Sequence, residues 1–147
     1  MLNLTCVVDH ETLSPGLKGE HGLSFWIESG DRIILFDTGQ TGDVLLNNLA
    51  ALHLQPDRIN AVVLSHGHYD HTGGLQALLQ KQPDLPVYAN GDLFQPRFSN
   101  KKGEYQSIGV VLDQKSLKTQ PRFLLSNEAV EVFANVWTTG EILQKEE

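Results

Sequence analysis

The spacing of apolar and polar positions changes period several times along the chain, and each change predicts an element. Leu2 to Val8 is a β-rich apolar segment. Leu23 to Ile27 and Arg32 to Phe36 read as two strands joined by Ser29-Gly30-Asp31, a turn sequence suited to a hairpin, so an antiparallel start is expected. The period then lengthens. Asp43 is expected to cap a helix whose Leu45, Leu46, Leu49 and Leu52 form an apolar stripe, with Asn47 and Asn48 facing water and Pro56 marking the exit. Ala61 to Leu64 is a short continuous apolar run, which suits a strand buried on both faces. Leu75, Leu78 and Leu79 supply the core face of a second helix ending near Gln82-Pro83, and Pro86 to Tyr88 is a brief further strand. Phe123 to Leu125, Val130 to Phe133 and Val136 to Thr138 read as the last strands. The order β-β-β-α-β-α-β predicts an α/β fold, with a mixed sheet covered by helices.

Between Asn90 and about Gln120 the pattern weakens. Phe94, Arg97, Phe98, Lys101, Lys102, Tyr105 and Lys115 are scattered among Gly, Ser, Asn and Gln. Two readings stay open for residues 90–120: a lid whose Arg97 or Lys102 pairs with an anionic group on a substrate, or an ordinary insertion with solvated charges.

Composition narrows the class. A length of 147 residues suits a single domain spanning residues 1–147, and 40% hydrophobic with 20% charged residues is enough to bury a core. The net charge of −7 argues against a general nucleic-acid binder, which normally carries a basic footprint. Cys6 is the single cysteine, so an internal disulfide is impossible, and its place in an apolar run predicts a buried structural thiol. Met1 to Leu13 lack the marks of a secretory signal, and no run approaches the roughly 18 apolar residues of a membrane span. A cytoplasmic location is the default expectation.

The chemistry concentrates in Leu64-Ser65-His66-Gly67-His68-Tyr69-Asp70-His71-Thr72-Gly73-Gly74. Residues at i, i+2, i+4 and i+5 do not share one face of a helix, whereas a tight loop at a strand end can aim His66, His68, Asp70 and His71 at one place. Imidazole nitrogens and a carboxylate oxygen are the donors that first-row divalent metals prefer, so zinc, iron and manganese all fit. Gly67 is expected to take the positive φ of such a loop, and Gly73-Gly74 to let the backbone pass close to the metal. Asp37, in Asp-Thr-Gly behind an apolar strand, is a turn-former. His21 either approaches the site or is a hydrogen-bonded histidine at a strand entrance, and the role of Glu20 beside it is equally open.

The His-x-His-x-Asp-His pattern after a strand resembles the signature of the metallo-β-lactamase superfamily. Gly19-Glu20-His21-Gly22-Leu23-Ser24, Ile34-Leu35-Phe36-Asp37-Thr38-Gly39 and Thr138-Thr139-Gly140-Glu141-Ile142 are most similar to its dihydropterin-aminobenzene phosphate synthase-like branch. The resemblance implies an αββα sandwich in which His66 and His68 bind one metal and Asp70 and His71 a second, zinc being the usual ion and iron or manganese the alternatives. It implies that Asp37 lies beside the metal loop and orients it, and that Asp70 also orients or deprotonates the attacking water. The implied chemistry is hydrolysis of an ester, lactone or phosphoester in a small, anionic substrate. The synthase-like branch implies condensation as the alternative.

All six histidines, at positions 10, 21, 53, 66, 68 and 71, fall in the first half of the chain. Nothing after His71 can supply the later histidines of the family, and the setting of Asp113 does not resemble its bridging aspartate. The sequence is therefore expected to be the front portion of such a domain. Three readings follow: a truncated, non-catalytic domain; a site completed by a second chain or a homo-oligomer; or a weaker mononuclear site in which water and His21 fill open positions.

Overall fold

The computed structural model describes residues 1–12, 14–112 and 123–142. Its centre is a six-stranded sheet in the order β1-β2-β3-β4-β5-β8, formed by Leu2–Val8, Ser24–Ser29, Arg32–Phe36, Ala61–Val63, Val87–Ala89 and Phe123–Leu125. The first three strands are antiparallel, and β3, β4, β5 and β8 run parallel. Gly30, at φ 64, makes the expected tight turn between β2 and β3. Two antiparallel pairs stand apart from this sheet: β6 (Phe98–Lys101) with β7 (Glu104–Ser107), and β9 (Glu131–Phe133) with β10 (Val136–Trp137).

Helices α1 (Gly42–Ala51) and α3 (Leu75–Lys81) cover one face of the sheet. Leu45 and Leu49 from α1 and Leu75, Leu78 and Leu79 from α3 close over Val8, Trp26, Leu35, Val62 and Val87, all buried. Burying each such side chain stabilises the fold by about 1.5–3 kcal/mol, and this layer holds the parallel strands in register. The opposite face carries a smaller cluster, in which Val132 of the β9–β10 pair packs over Ile34 and Ala61. That second face is only partly covered: Leu4 is 63% and Trp137 60% exposed. A cavity of about 400 Å³ opens there, lined in part by Ile27, Phe36, Val136 and Trp137, and it reaches Ser65.

Several expectations need correcting. The cap of α1 is Thr41, whose side chain accepts from the Val44 amide, and Asp43 lies in the first turn instead. Asn48 does not face water. It is 1% exposed, with Nδ2 donating to the Val7 and Lys18 carbonyls and Oδ1 accepting from the Lys18 amide. It thereby ties the N-terminal segment to the helix. Cys6 is exposed, because it shares a face of β1 with Leu2 and Leu4, the face that is only partly covered. Partial burial and the nearby charge of Asp9 still push its thiol pKa up, which disfavours the reactive thiolate. The fifth strand is Val87–Ala89, one residue later than expected at its start.

The weakly patterned stretch forms the β6–β7 hairpin, while Asp113 and Lys115 lie outside the described residues. Among the described residues, no helix is long and apolar enough to cross a membrane.

Candidate metal centre

The site sits at the carboxyl ends of two neighbouring parallel strands, β3 and β4, where open α/β sheets commonly place their ligands. Asp37 follows β3 and Ser65 follows β4. The residues after Ser65 first loop and then form a single helical turn, α2 (Tyr69–Thr72), so Asp70 and His71 project from helix rather than loop. This segment is sewn to the 37–39 turn: the Asp37 amide donates to Val63 O, Thr38 donates to His71 O through both its amide and hydroxyl, and the Gly73 amide donates to Gly39 O. Inside the segment, Thr72 Oγ1 donates to His68 O.

Its glycines serve packing rather than the roles first expected. Gly67 is not at positive φ. A Cβ there would collide with the Leu93 carbonyl, and Cβ atoms on Gly73 and Gly74 would strike the carbonyls of Gln40 and Thr38. The close approach is therefore between backbones, not to a metal.

Asp37 is the pin of the site. It is fully buried and holds a left-handed φ of 56, which Asp tolerates better than most residues. Its Oδ1 accepts the Ser65 amide at 2.8 Å, and its Oδ2 accepts both the Ser65 hydroxyl and His71 Nδ1 at 2.7 Å. Since a carboxylate only accepts, the proton of each pair belongs to its partner. Ser65 Oγ has then spent its hydrogen on Asp37 and accepts from His66 Nδ1, 2.9 Å away. Both His66 and His71 are thereby held as Nδ1–H tautomers, with Nε2 lone pairs facing outward. This is the outer support that metal-binding imidazoles normally receive.

Those lone pairs meet other donors. His66 Nε2 lies 3.0 Å from His68 Nδ1, and His71 Nε2 lies 3.5 Å from Asp70 Oδ2. Ligands about 2.0–2.2 Å from one ion stand about 3.0–3.5 Å apart, so each pair has the spacing of one edge of a coordination shell. As the side chains stand, no group of three or more His, Cys, Asp or Glu side chains among the described residues is arranged to hold an ion. The His66–His68 contact is itself a hydrogen bond, which ion binding has to replace. Donor type and pair spacing fit a divalent metal.

Burial, followed by the neighbouring His71 and His68, lowers the pKa of His66 from its ordinary value of 6.5. The folded, metal-free protein therefore binds fewer protons here than the unfolded chain. Stability from this group is present above the ordinary value and is lost as pH falls from about 7 toward the lowered folded value. Urea midpoints at pH 7.5 and 5.5 are expected to fall less in His66→Asn than in wild type; an equal fall would remove His66 as the cause.

The other sequence candidates divide. His21 does approach the site, with Nε2 3.3 Å from Asp70 Oδ2. Glu20 is structural: its carboxylate accepts the Gln40 and Thr41 amides and the Thr41 hydroxyl. Arg97 is not free for a substrate, since it pairs with Asp92 at 2.7 Å and donates to the carbonyls of Asp92, Leu93 and Gln95. It braces the loop that presses on Gly67. Lys102 sits at the exposed β6–β7 turn with φ 56. Ser65 is the functional residue that sequence reasoning passed over; its signal is a lone hydroxyl between a buried strand and the first histidine.

A family model described as the metallo-beta-lactamase superfamily matches residues 17–142. Across 97% of its length the chain is 30% identical to the 7,8-dihydropterin-6-methyl-4-(beta-D-ribofuranosyl)-aminobenzene-5'-phosphate synthase of Methanocaldococcus jannaschii, spanning 51% of that protein. It is 30% identical over 84 residues to the exodeoxyribonuclease WalJ of Streptococcus pneumoniae, covering 57% of this chain and 31% of the relative. Among solved structures, a quorum-quenching N-acyl homoserine lactone lactonase superposes with a TM-score of 0.56 at 18% identity, over 94% of this chain and 61% of that one. The chain thus spans about half the length, or less, of these two curated relatives.

Proposed function

The chain belongs to the metallo-β-lactamase superfamily, and from that premise we propose that its His66, His68, Asp70 and His71 form one side of a metal centre that hydrolyses an ester, lactone or phosphoester. The observation that carries this reading is the pair of donor edges held from behind by one buried carboxylate, Asp37. When bound, a divalent ion supplies water of lowered pKa and positive charge to offset the negative charge that builds on the attacked group. Zinc is the first choice, two ions filling a complete site, and iron and manganese accept the same donors.

The protein's own groups prepare that chemistry. Asp37 and Ser65 fix the tautomers of His71 and His66. The depressed pKa of His66 keeps its imidazole neutral, as a ligand must be. Asp70, nearly buried between His21 and His71, would orient the water or take its proton. The net charge of −7 leaves a small molecule, with its anionic group held at the metal, as the preferred substrate over nucleic acid. These four donors hold the first ion, and a further stretch of chain, a complementing chain or a second copy completes the shell they begin. The 30% identity to the synthase along 97% of the chain favours, as a second reading, condensation on the same scaffold.

Metal analysis of protein purified without added metal, read beside native mass and turnover of an ester, a lactone and a phosphodiester, tests the proposal. Metal uptake with metal-dependent turnover is expected from the assembled form. A metal-free monomer that stays inactive after zinc, iron or manganese is restored overturns it.

A further inference from the structure

Asp70 is less firmly held than Asp37. Asp37 has three donors on its carboxylate, whereas the described side chains facing Asp70 Oδ2 are two imidazoles, His71 at 3.5 Å and His21 at 3.3 Å. His71 is occupied elsewhere through Nδ1, and its Nε2 is one of the atoms that would face an ion. The second imidazole is therefore the group available to fix the carboxylate from outside.

The backbone fixes where residue 21 stands. On one side, Glu20 is clamped by its hydrogen bonds to residues 40 and 41. On the other, Gly22 holds φ 134 and presses so closely on the Asp70 carbonyl that a Cβ would collide with it. His21 is thus held against Asp70 from both flanks although its side chain is 57% exposed. Its second nitrogen is also engaged: Nδ1 lies 3.4 Å from His10 Nε2, the two rings meeting edge to face at 4.8 Å. With His10 donating to Nδ1, His21 carries its proton on Nε2, the atom that faces the carboxylate.

Resting on the metal-centre reading above, we propose that His21, backed by His10, is a positioning residue that holds Asp70 Oδ2 toward the ion from outside the coordination shell. It does for the carboxylate what Asp37 does for His71. Groups in this outer role typically change metal affinity about 10–100-fold when removed, and the exposure of His21 places it at the lower end.

Calorimetric titration of the full chain with zinc tests this on wild type, His21→Ala, His21→Gln and His10→Ala. His21→Ala is expected to weaken zinc about tenfold. His21→Gln, whose amide N–H can still reach the carboxylate but which is a poor ligand, should stay within about threefold of wild type. His10→Ala should lie between them. With cobalt as probe, the visible bands of His21→Gln should match wild type, which a replaced ligand would not allow. Zinc affinity of His21→Ala within about threefold of wild type would overturn the proposal while leaving the metal centre standing. Equal weakening in the alanine and glutamine variants would overturn it in favour of direct ligation. Failure of wild type to bind zinc would instead bring down the metal-centre reading and this support with it.

Discussion

Joint replacement of His66 and His68 by alanine is expected to abolish metal retention while leaving the fold in place. The two rings contribute one whole donor edge, Nε2 to Nδ1 at 3.0 Å, and the Asp70–His71 edge left behind offers two donors, too few to keep a divalent ion through dialysis. The fold should survive because the bonds that shape the segment run through backbone atoms. Thr72 and Thr38 both bind main-chain carbonyls of the loop, and neither contact uses the imidazole of residue 66 or 68. Elemental analysis should show bound metal falling to background, with the unfolding free energy from urea titration changed by no more than about 1 kcal/mol, as for side chains outside the packed core. Unchanged metal content would place the ion elsewhere.

Asp37→Ala should act on both stability and metal. It strips the acceptor from the Ser65 amide, the Ser65 hydroxyl and His71 Nδ1 in a place closed to solvent. Each buried donor left unpaired costs about 1–3 kcal/mol, so a loss of about 3–5 kcal/mol is expected after partial relaxation. The freed His71 also loses its enforced tautomer, which should weaken zinc about 10–100-fold. Asp37→Asn keeps the shape and tolerates the left-handed backbone, but presents an N–H where one acceptor was needed. It should therefore lose less stability than alanine. Urea unfolding and zinc titration of both variants measure the two effects; an alanine variant within about 1 kcal/mol of wild type would show that the carboxylate is not the pin.

The outline of the molecule was legible wherever apolar period was regular. The stripe of Leu75, Leu78 and Leu79, the buried run behind the histidines and the opening hairpin all follow from local patterning. Asn48 was misread because its polarity suggests water, although it falls three residues after Leu45 and beside Leu49. Its partners, Val7 and Lys18, are far away in sequence and leave no local trace. Cys6 was misread because the run Leu2 to Val8 is apolar on both faces of the strand and does not reveal that the face of Leu2, Leu4 and Cys6 is left partly uncovered. The β6–β7 hairpin lacked alternation since its strands are mostly exposed, so no buried face imposed a period. At the site, four side chains were readable from spacing, and the resemblance supplied Asp37. The relay through Ser65 and the clamp on His21 depend on contacts between distant segments, which one sequence does not display.

The groups that aim the donors, from Glu20 through Asp37 and Ser65 to Gly73, lie on one uninterrupted stretch of chain and bind chiefly one another. Later residues hold the stretch from behind, β5 pairing with β4 and the Tyr88 carbonyl accepting the Leu64 amide, and they reach the histidine loop itself through the Ile108 carbonyl on the Tyr69 amide and the Leu93 carbonyl against Gly67. The contacts that aim the donors are thus local, while the strand that carries them is held by the rest of the sheet. Segments outside that sheet and its helices, such as the exposed β6–β7 hairpin, can therefore vary in sequence, and with them the shape presented to a substrate, without disturbing the contacts that aim the donors.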